Sequence, residues 1–536
     1  MMAPVSTRAR QPRAASFGPL ACIGGLAPIT LLALMVAACA TTAGTRAERP
    51  RLRVLMTNDF HGRLLPERPA WADGAEVGGA AVLAAYFAAE RASFDGPTLL
   101  LDGGDIMQGT PVSNLTQGRS TIEYYNAVGY DAAAIGNHEF DWMIPVLRER
   151  VEQAEFAWLS ANVLVAGTDT APSWVQATAM IDAGGVTVGI IGLTTESTPW
   201  TTMPSNVRDL EFRGGAEAMD RWVRELRGRG VDFVIVVAHA GATCDLEVHD
   251  CRGEIIDWAR ATTHKPDLIV GGHAHRVVRT RENGIPIIQA GSYGTRYGVV
   301  DLERVSEDSV AAWIRGTPVA LHENIEPDSA VAALVERHFR EIRPAVDRVI
   351  ARLAEPLRAS AGEYALGRLI ADAQRAATHA DVAIMNNGGI RTDVEAGTVT
   401  WGELFEVQPF GNRLVTLQLT GAQLRKAIEH VVRGRAPGAH VSGIVVDYDA
   451  GAPPGERVRE VQLAGGGVVE DTAVYRVTAN NFMAEGGDGF EVFTGASARD
   501  DTGIVDIDAL VDYLQSLPQP IAPPPDQRLR PVRISR

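Results

Sequence analysis

From residue 51 onward the chain sets short apolar runs against polar closures. Residues 52–57, 97–101, 132–135, 186–193, 233–238 and 268–270 are such runs, most of them followed by Gly, Asp, Asn or His. Runs of four to eight apolar residues between turn formers fit strands buried on both faces. Between them, 80–91 and 216–228 repeat apolar residues at helical spacing. Strands alternating with helices predict an α/β layer architecture. The polar residues fall just after the strands, at the carboxyl edge where open α/β sheets bind ligands.

A second α/β region follows residue 323. Residues 329–343 predict a charged amphipathic helix able to join two domains. Helices are also expected at 364–377 and at 420–432, where Thr420 is a good N-cap. Strand-like runs at 382–385, 414–419, 443–448 and 474–478 interleave with them, and the Pro-rich 518–525 predicts an extended surface tail.

The N-terminus reads as a targeting segment rather than as fold. Arg8, Arg10 and Arg13 precede an uncharged stretch over 18–38, and Val36-Ala37-Ala38-Cys39 resembles the lipobox of a bacterial lipoprotein. The expected product is cleaved before Cys39 and lipidated on it. It would be an exported, membrane-anchored lipoprotein of the cell envelope, in the periplasm or at the cell surface. A plain secretory signal and an N-terminal anchor helix are the alternatives. Export would put Cys244 and Cys251 in an oxidising compartment, where a disulfide is expected, against two free thiols otherwise. With 66 acidic and 50 basic residues the net charge is −16. That excludes a broad cationic surface, so no nucleic-acid polymer is an expected partner. The only membrane contact expected is the lipid.

Metal-binding chemistry concentrates at strand ends: Asp59-Phe60-His61, Gly104-Asp105, Gly136-Asn137-His138-Glu139, His239 and Gly272-His273-Ala274-His275. Carboxylates mixed with imidazoles suit divalent Zn, Mn, Fe or Co better than calcium, which takes oxygen shells. Side chains at i and i+2 of a strand share a face. Asp59 and His61 are therefore expected to meet one metal together, and so are His273 and His275.

With their flanks these clusters read Thr57-Asn58-Asp59-Phe60-His61-Gly62, Gly104-Asp105-Ile106-Met107-Gln108-Gly109, Gly136-Asn137-His138-Glu139-Phe140-Asp141, Ala238-His239-Ala240-Gly241 and Gly271-Gly272-His273-Ala274-His275. In that form they resemble the motifs of the calcineurin-like metallophosphoesterases. More narrowly they resemble the 5′-nucleotidase family, which includes the bacterial UDP-sugar hydrolases. The resemblance implies an N-terminal four-layer α/β domain, two packed sheets flanked by helices, followed by a second α/β nucleotide-binding domain. The implied division is signal 1–38, tether 39–50, catalytic domain 51–325, linker helix 326–350, substrate-binding domain 351–520 and tail 521–536.

The same resemblance implies two divalent metal ions as cofactors, Zn, Mn, Co or Fe. Asp59, His61, Asp105 and His275 would hold one, and Asp105, Asn137, His239 and His273 the other, with Asp105 as the bridge. The implied activity is removal of phosphate from nucleoside 5′-monophosphates, extending to UDP-sugars or other nucleotides. Such a metal pair lowers the pKa of a shared water from about 15.7 toward about 7. His138 is implied to face the phosphoryl group without ligating, and Asp141 to orient its imidazole.

Four loops in the C-terminal half complete the resemblance: Asn386-Asn387-Gly388-Gly389-Ile390-Arg391, Gln408-Pro409-Phe410-Gly411-Asn412, Asn480-Asn481-Phe482 and Gly486-Gly487-Asp488-Gly489-Phe490. They resemble the family's nucleotide-binding loops, and Asn386 belongs to the implied substrate set. Phe410 and Phe482 would sandwich the base, a stacking worth about 1–3 kcal/mol that tolerates different bases. Asp488 would accept from ribose hydroxyls, and Arg391 would fork onto a phosphate. Where the family carries an arginine three residues before the Glu of Glu363-Tyr364-Ala365-Leu366-Gly367, this chain has Ser360. Arg358, two residues earlier, is the expected stand-in. Two rival readings stand beside this one: a 2′,3′-cyclic-nucleotide phosphodiesterase/3′-nucleotidase, and a non-catalytic nucleotide-binding surface lipoprotein. Asp59-Phe60-His61, Asp141 and Gly411 favour the 5′-nucleotidase side.

Overall fold

A computed structural model describes residues 49–245, 250–306 and 309–532. The signal segment and Cys39 lie outside the described residues. Two six-stranded sheets occupy the N-terminal half. The first runs, edge to edge, Ser309–Gly316, Gly298–Ser306, Arg51–Thr57, Thr98–Asp102, Ala132–Ala134 and Ala157–Leu159. The second runs Val277–Glu282, Ile285–Ala290, Leu268–Gly271, Phe233–His239, Val186–Thr194 and Thr178–Ala183. Four neighbouring strands in each are parallel, and antiparallel strands complete the edges.

Strand alternation explains why the sheets stack. Leu52, Val54 and Met56 point into the space between the sheets, where they meet Phe233, Ile235 and Val237, while Leu55 points outward to helices. Each such side chain contributes about 1.5–3 kcal/mol by leaving water. Helices Ala80–Ala92, Arg119–Val128 and Ser329–Val346 cover the outer face of the first sheet. Gly215–Gly228 and Glu254–Ala261 cover that of the second. The result is the four-layer helix–sheet–sheet–helix order that the resemblance implies.

The helix expected at 329–343 forms as Ser329–Val346, N-capped by Asp328. It is no bare connector: Val331, Val335, His338 and Ile342 are buried on its inner face. Beyond it, a five-stranded sheet runs Ala439–Ser442, Val382–Asn386, Val474–Asn480, Arg413–Thr420 and Ala498–Val505. Helix Gly421–Val431 packs on one side, with Ala365–Thr378 and Asp506–Ser516 on the other. Thr420 caps its helix as expected, accepting from the Gln423 backbone while the Gln423 side chain returns the bond. The Pro-rich 518–525 contains no helix, and beyond it the chain pairs. Leu529–Pro531 pairs in parallel beside Ile444–Tyr448, and Glu363 accepts the backbone N–H groups of Arg528 and Leu529. Among the described residues, no helix is long and apolar enough to cross a membrane.

Candidate metal centre and the cleft beside it

All seven expected ligands sit at or just past the carboxyl ends of parallel strands. Five of them, Asp59, His61, Asp105, His273 and His275, have φ between 50° and 73°. The left-handed region costs a non-glycine residue about 1–2 kcal/mol, and such strain gathers at functional sites. It also corrects the expected reason for pairing. The strands end at Thr57 and Gly271, so left-handed turns, not the alternation of a strand, aim these side chains. His273 and His275 consequently fall in different clusters rather than sharing one.

The clusters are Asp59–His61–His275 and Asp105–His239–His273, with the ligand atoms of each within 4.8 Å of one another. His61 Nε2 is 3.1 Å from His275 Nε2, and His239 Nε2 is 3.1 Å from Asn137 Oδ1. Asp105 Oδ2 lies 3.1 Å from His239 Nε2 and 3.9 Å from His61 Nε2, so one oxygen faces both clusters. Gly136 permits this approach, since a Cβ there would stand 2.2 Å from Asp105 Oδ1.

The donor set fits divalent cations. His61 Nδ1 faces the Gln108 carbonyl at 2.7 Å and His239 Nδ1 the Gly103 carbonyl at 2.9 Å. Donating there leaves each Nε2 lone pair turned inward, the arrangement that orients ligating histidines. Burial, reinforced by His239, pushes His273 down to about 4, which keeps it in the neutral form that binds metal. Burial works against a proton on His239 as well, yet Asp105 and Asp59 outweigh it and raise that group to about 10. The buried carboxylates thus create a field that demands positive charge.

His138 stands beside the clusters. Its Nδ1 is 2.7 Å from Asp141 Oδ2, and its backbone N–H donates to Asp105 Oδ1 at 2.9 Å. Burial lowers its proton affinity, but Asp141 and Asp105 prevail and hold its pKa above the usual value. Thr202 Oγ1 donates to the other Asp141 oxygen at 2.8 Å, and Asn137 Nδ2 donates to the Thr201 carbonyl at 3.1 Å, which turns Asn137 Oδ1 toward His239. Neither threonine is among the sequence-expected residues. Their available signal is a polar stretch that follows a strand-like run, as the other motifs do. Glu139 is fully buried and receives the N–H groups of Asp105, Ile106 and Gly136.

A cavity of about 290 Å³ opens over this centre. Asp105, Asn137, His138, Asp141, His273 and His275 line one side, and Asn386, Arg391, Phe410, Phe482 and Asp488 the other. Both expected constellations therefore meet in one space. Phe410 stacks on His138, with ring centroids 5.5 Å apart, and the Arg391 guanidinium lies 5.7 Å from the Phe410 centroid. Asn386 donates to Asp488 Oδ2 at 2.6 Å. Phe482 packs over Gly487, where a Cβ would sit 2.3 Å from its ring. Arg63–Glu406 at 2.6 Å and Asn114 donating to the Pro409 carbonyl at 2.5 Å tie the Phe410 loop to the metal side.

Two expected positions need separate comment. Arg358 does not join the cavity: it is paired with Asp393 and Glu395 at the surface, which corrects its assignment as the phosphate-binding stand-in. Cys244 and Cys251 are joined as a disulfide across the short hairpin of Thr243–Asp245 and Asp250–Arg252.

One further group escaped sequence reading. Asp506, fully buried, is bonded to Asn412 and to the Ile507 N–H, and Gln408 reaches it at 3.5 Å. It grips both flanks of the Phe410 loop, and burial pushes its carboxyl up to about 8. Asp506→Ala is expected to raise KM for nucleotides by about tenfold without changing hydrolysis of a baseless phosphate ester. Asp506→Asn, which matches the neutral form, should restore KM. Equal losses on both substrates would overturn the assignment.

Fold and site together define a metal-dependent phosphoesterase with a polar, aromatic-lined cleft beside its metal centre. Residues 52–277 match the family model of the calcineurin-like phosphoesterases, and residues 349–495 that of the 5′-nucleotidase C-terminal domain. The chain is 30% identical to a snake venom 5′-nucleotidase of Naja atra, over 87% of this chain and 96% of that one. It is 31% identical to the endonuclease YhcR of Bacillus subtilis, over 91% of this chain but only 41% of that longer protein. The crystal structure of a 5′-nucleotidase precursor from Thermus thermophilus superposes with a TM-score of 0.79, at 27% identity, covering 90% of this chain and all of that one. The chain belongs to the 5′-nucleotidase family of calcineurin-like phosphoesterases, hydrolases of phosphoric ester bonds that use two divalent metal ions.

Proposed function

We propose that the protein removes the phosphate of nucleoside 5′-monophosphates, and accepts UDP-sugars or other nucleotides at the same centre. The observation that carries this reading is the single cavity shared by the two metal-ligand clusters and by Phe410, Phe482 and Asp488. Asp59, His61 and His275 with Asp105 would hold one cation, and Asp105, Asn137, His239 and His273 would hold the other. When bound, two such cations supply charge for the phosphoryl oxygens and lower the pKa of water at the site.

The chain's own residues do the rest. Phe410 and Phe482 hold the base, Asn386 and Asp488 the ribose, and Arg391 a phosphoryl oxygen. His138 keeps its Nδ1 on Asp141, so its Nε2–H is free to give its proton to the leaving O5′ as the P–O5′ bond breaks. Residues 51–325 act as the catalytic domain, 326–350 as its link and 351–520 as the substrate domain, with the tail at 521–536. The N-terminal Val36-Ala37-Ala38-Cys39 motif supports export and anchoring through a lipid on Cys39.

The test is phosphate release by the metal-loaded protein from a 5′-mononucleotide, a 2′,3′-cyclic nucleotide and a UDP-sugar, with and without chelator. Release from the cyclic substrate alone would install the rival reading, and metal-independent release would overturn the centre. Phe410→Ala and Phe482→Ala are each expected to raise KM for the mononucleotide by about 5- to 150-fold, the equivalent of one lost base–aromatic stack. Turnover of a baseless phosphate ester should stay intact.

A further inference from the structure

A second cavity, of about 430 Å³, lies directly beyond the first. Thr201 and Asp488 line both, so these two residues form the wall between them. The far side is built from Trp200, His430, Arg433, Gly489 and Phe490. The proposed activity uses none of these five.

The charge of this space is set by Arg433. Asp488 turns its carboxylate to Asn386 and its backbone carbonyl to His430 Nε2, 2.9 Å away, and its charge, with that of Glu491, is felt across the shared wall by His430, while Arg433 opposes it. Burial lowers the His430 pKa, which leaves that ring neutral. Arg433 is exposed, and among the described residues it makes no direct ion pair, though its charge reaches Asp488 and His430. Capping does not occupy it either. Arg457 donates to the carbonyls of Val432, at 2.6 Å, and Gly434, which places a cation at the end of helix Gly421–Val431 and offsets the negative pole there. Trp200, 52% exposed, offers an apolar ring to the same cavity. The volume falls within the roughly 300–1,000 Å³ of small-ligand pockets, more than a lone phosphate requires.

We propose that this second cavity is a subsite for a phosphoryl group carried on the 2′ or 3′ oxygen of the substrate ribose. The preferred substrates are then nucleoside 3′,5′-bisphosphates and 5′-phosphorylated dinucleotides. The inference rests on the reading of Asp488 as the ribose-side residue of the first cavity. A nucleotide with its base on Phe410 and Phe482 brings its ribose to Asp488, and a substituent on that edge has the second cavity before it. Arg433 binds the added phosphate and Trp200 covers the unit beyond. The reaction is unchanged: water adds to the 5′ phosphorus, the P–O5′ bond breaks, and the second phosphoryl group stays on the product.

The experiment compares kcat/KM for AMP, adenosine 3′,5′-bisphosphate and a 5′-phosphorylated diadenylate, using the metal-loaded protein and its Arg433→Ala variant. The extended substrates should be favoured about tenfold over AMP through KM, as one charge-assisted contact supplies. Arg433→Ala should erase that preference and leave AMP hydrolysis unchanged, while Arg433→Lys retains part of it. Equal kcat/KM for AMP and the extended substrates in the parent protein would overturn the proposal, as would a loss in Arg433→Ala that is the same for all three. Absence of AMP hydrolysis would instead refute the function proposed above. Calorimetric binding of adenosine 3′,5′-bisphosphate to the parent and Arg433→Ala proteins would then read the subsite directly, with equal affinities overturning it.

Discussion

Asp105→Asn is expected to reduce phosphate release from a 5′-mononucleotide by about 10³-fold, because several kcal/mol of transition-state stabilisation depend on the metal pair. The loss should exceed that of any other single ligand. Asp105 Oδ2 faces both clusters, and Oδ1 receives the His138 backbone N–H. Asparagine preserves the shape and removes the charge, so both cations weaken together. Metal analysis of the purified variant should show both ions depleted, whereas His61→Ala or His239→Ala should deplete chiefly one. An Asp105→Asn protein with near-parental release at limiting metal would refute the bridging role.

His138→Ala should lower kcat by about 10²–10⁴-fold, the usual contribution of a positioned proton donor, with KM changed little. The split between the two constants is the informative readout, since the His138 ring also stacks against Phe410. If that stacking were its main purpose, KM for nucleotides would rise and turnover of a baseless ester would survive. Asp141→Asn should reproduce the kcat loss in smaller measure. Thr202 would still donate to the amide oxygen, but the amide NH2 would then face Nδ1, so the acceptor that orients the ring is lost together with the charge.

The strand ends announced the centre because parallel α/β sheets place functional residues where strands stop. Asp59, Asp105, Asn137, His239 and His273 were legible for that reason. The geometry that unites them was not, since left-handed turns at Asp59, His61, Asp105, His273 and His275 leave no periodic trace in sequence. Asp506 was hidden for a different reason. It meets Asn412 and Gln408 from the start of a helix remote in sequence, and nothing local distinguishes it from any helix-initiating acid. Arg358 failed because nearest position in sequence is a poor guide to charge: Asp393 and Glu395 arrive from another loop and claim its guanidinium. The strand at Leu529–Pro531 lies beyond the Pro-rich stretch, where charged residues interrupt the sequence and leave no apolar run to announce it.

The strand Arg51–Thr57 sits inside its sheet rather than at an edge, and its antiparallel neighbour is Gly298–Ser306, with Arg51 opposite Glu303. As the chain is synthesised, its first strand must therefore wait for almost the whole N-terminal half before that flank is satisfied. Pairings of such long sequence separation slow folding, because loop closure comes before any reward from contact. For the exported chain proposed above, slowness is useful. A chain that stays open while it is being made can be threaded through a narrow channel and can gather its two sheets on the far side.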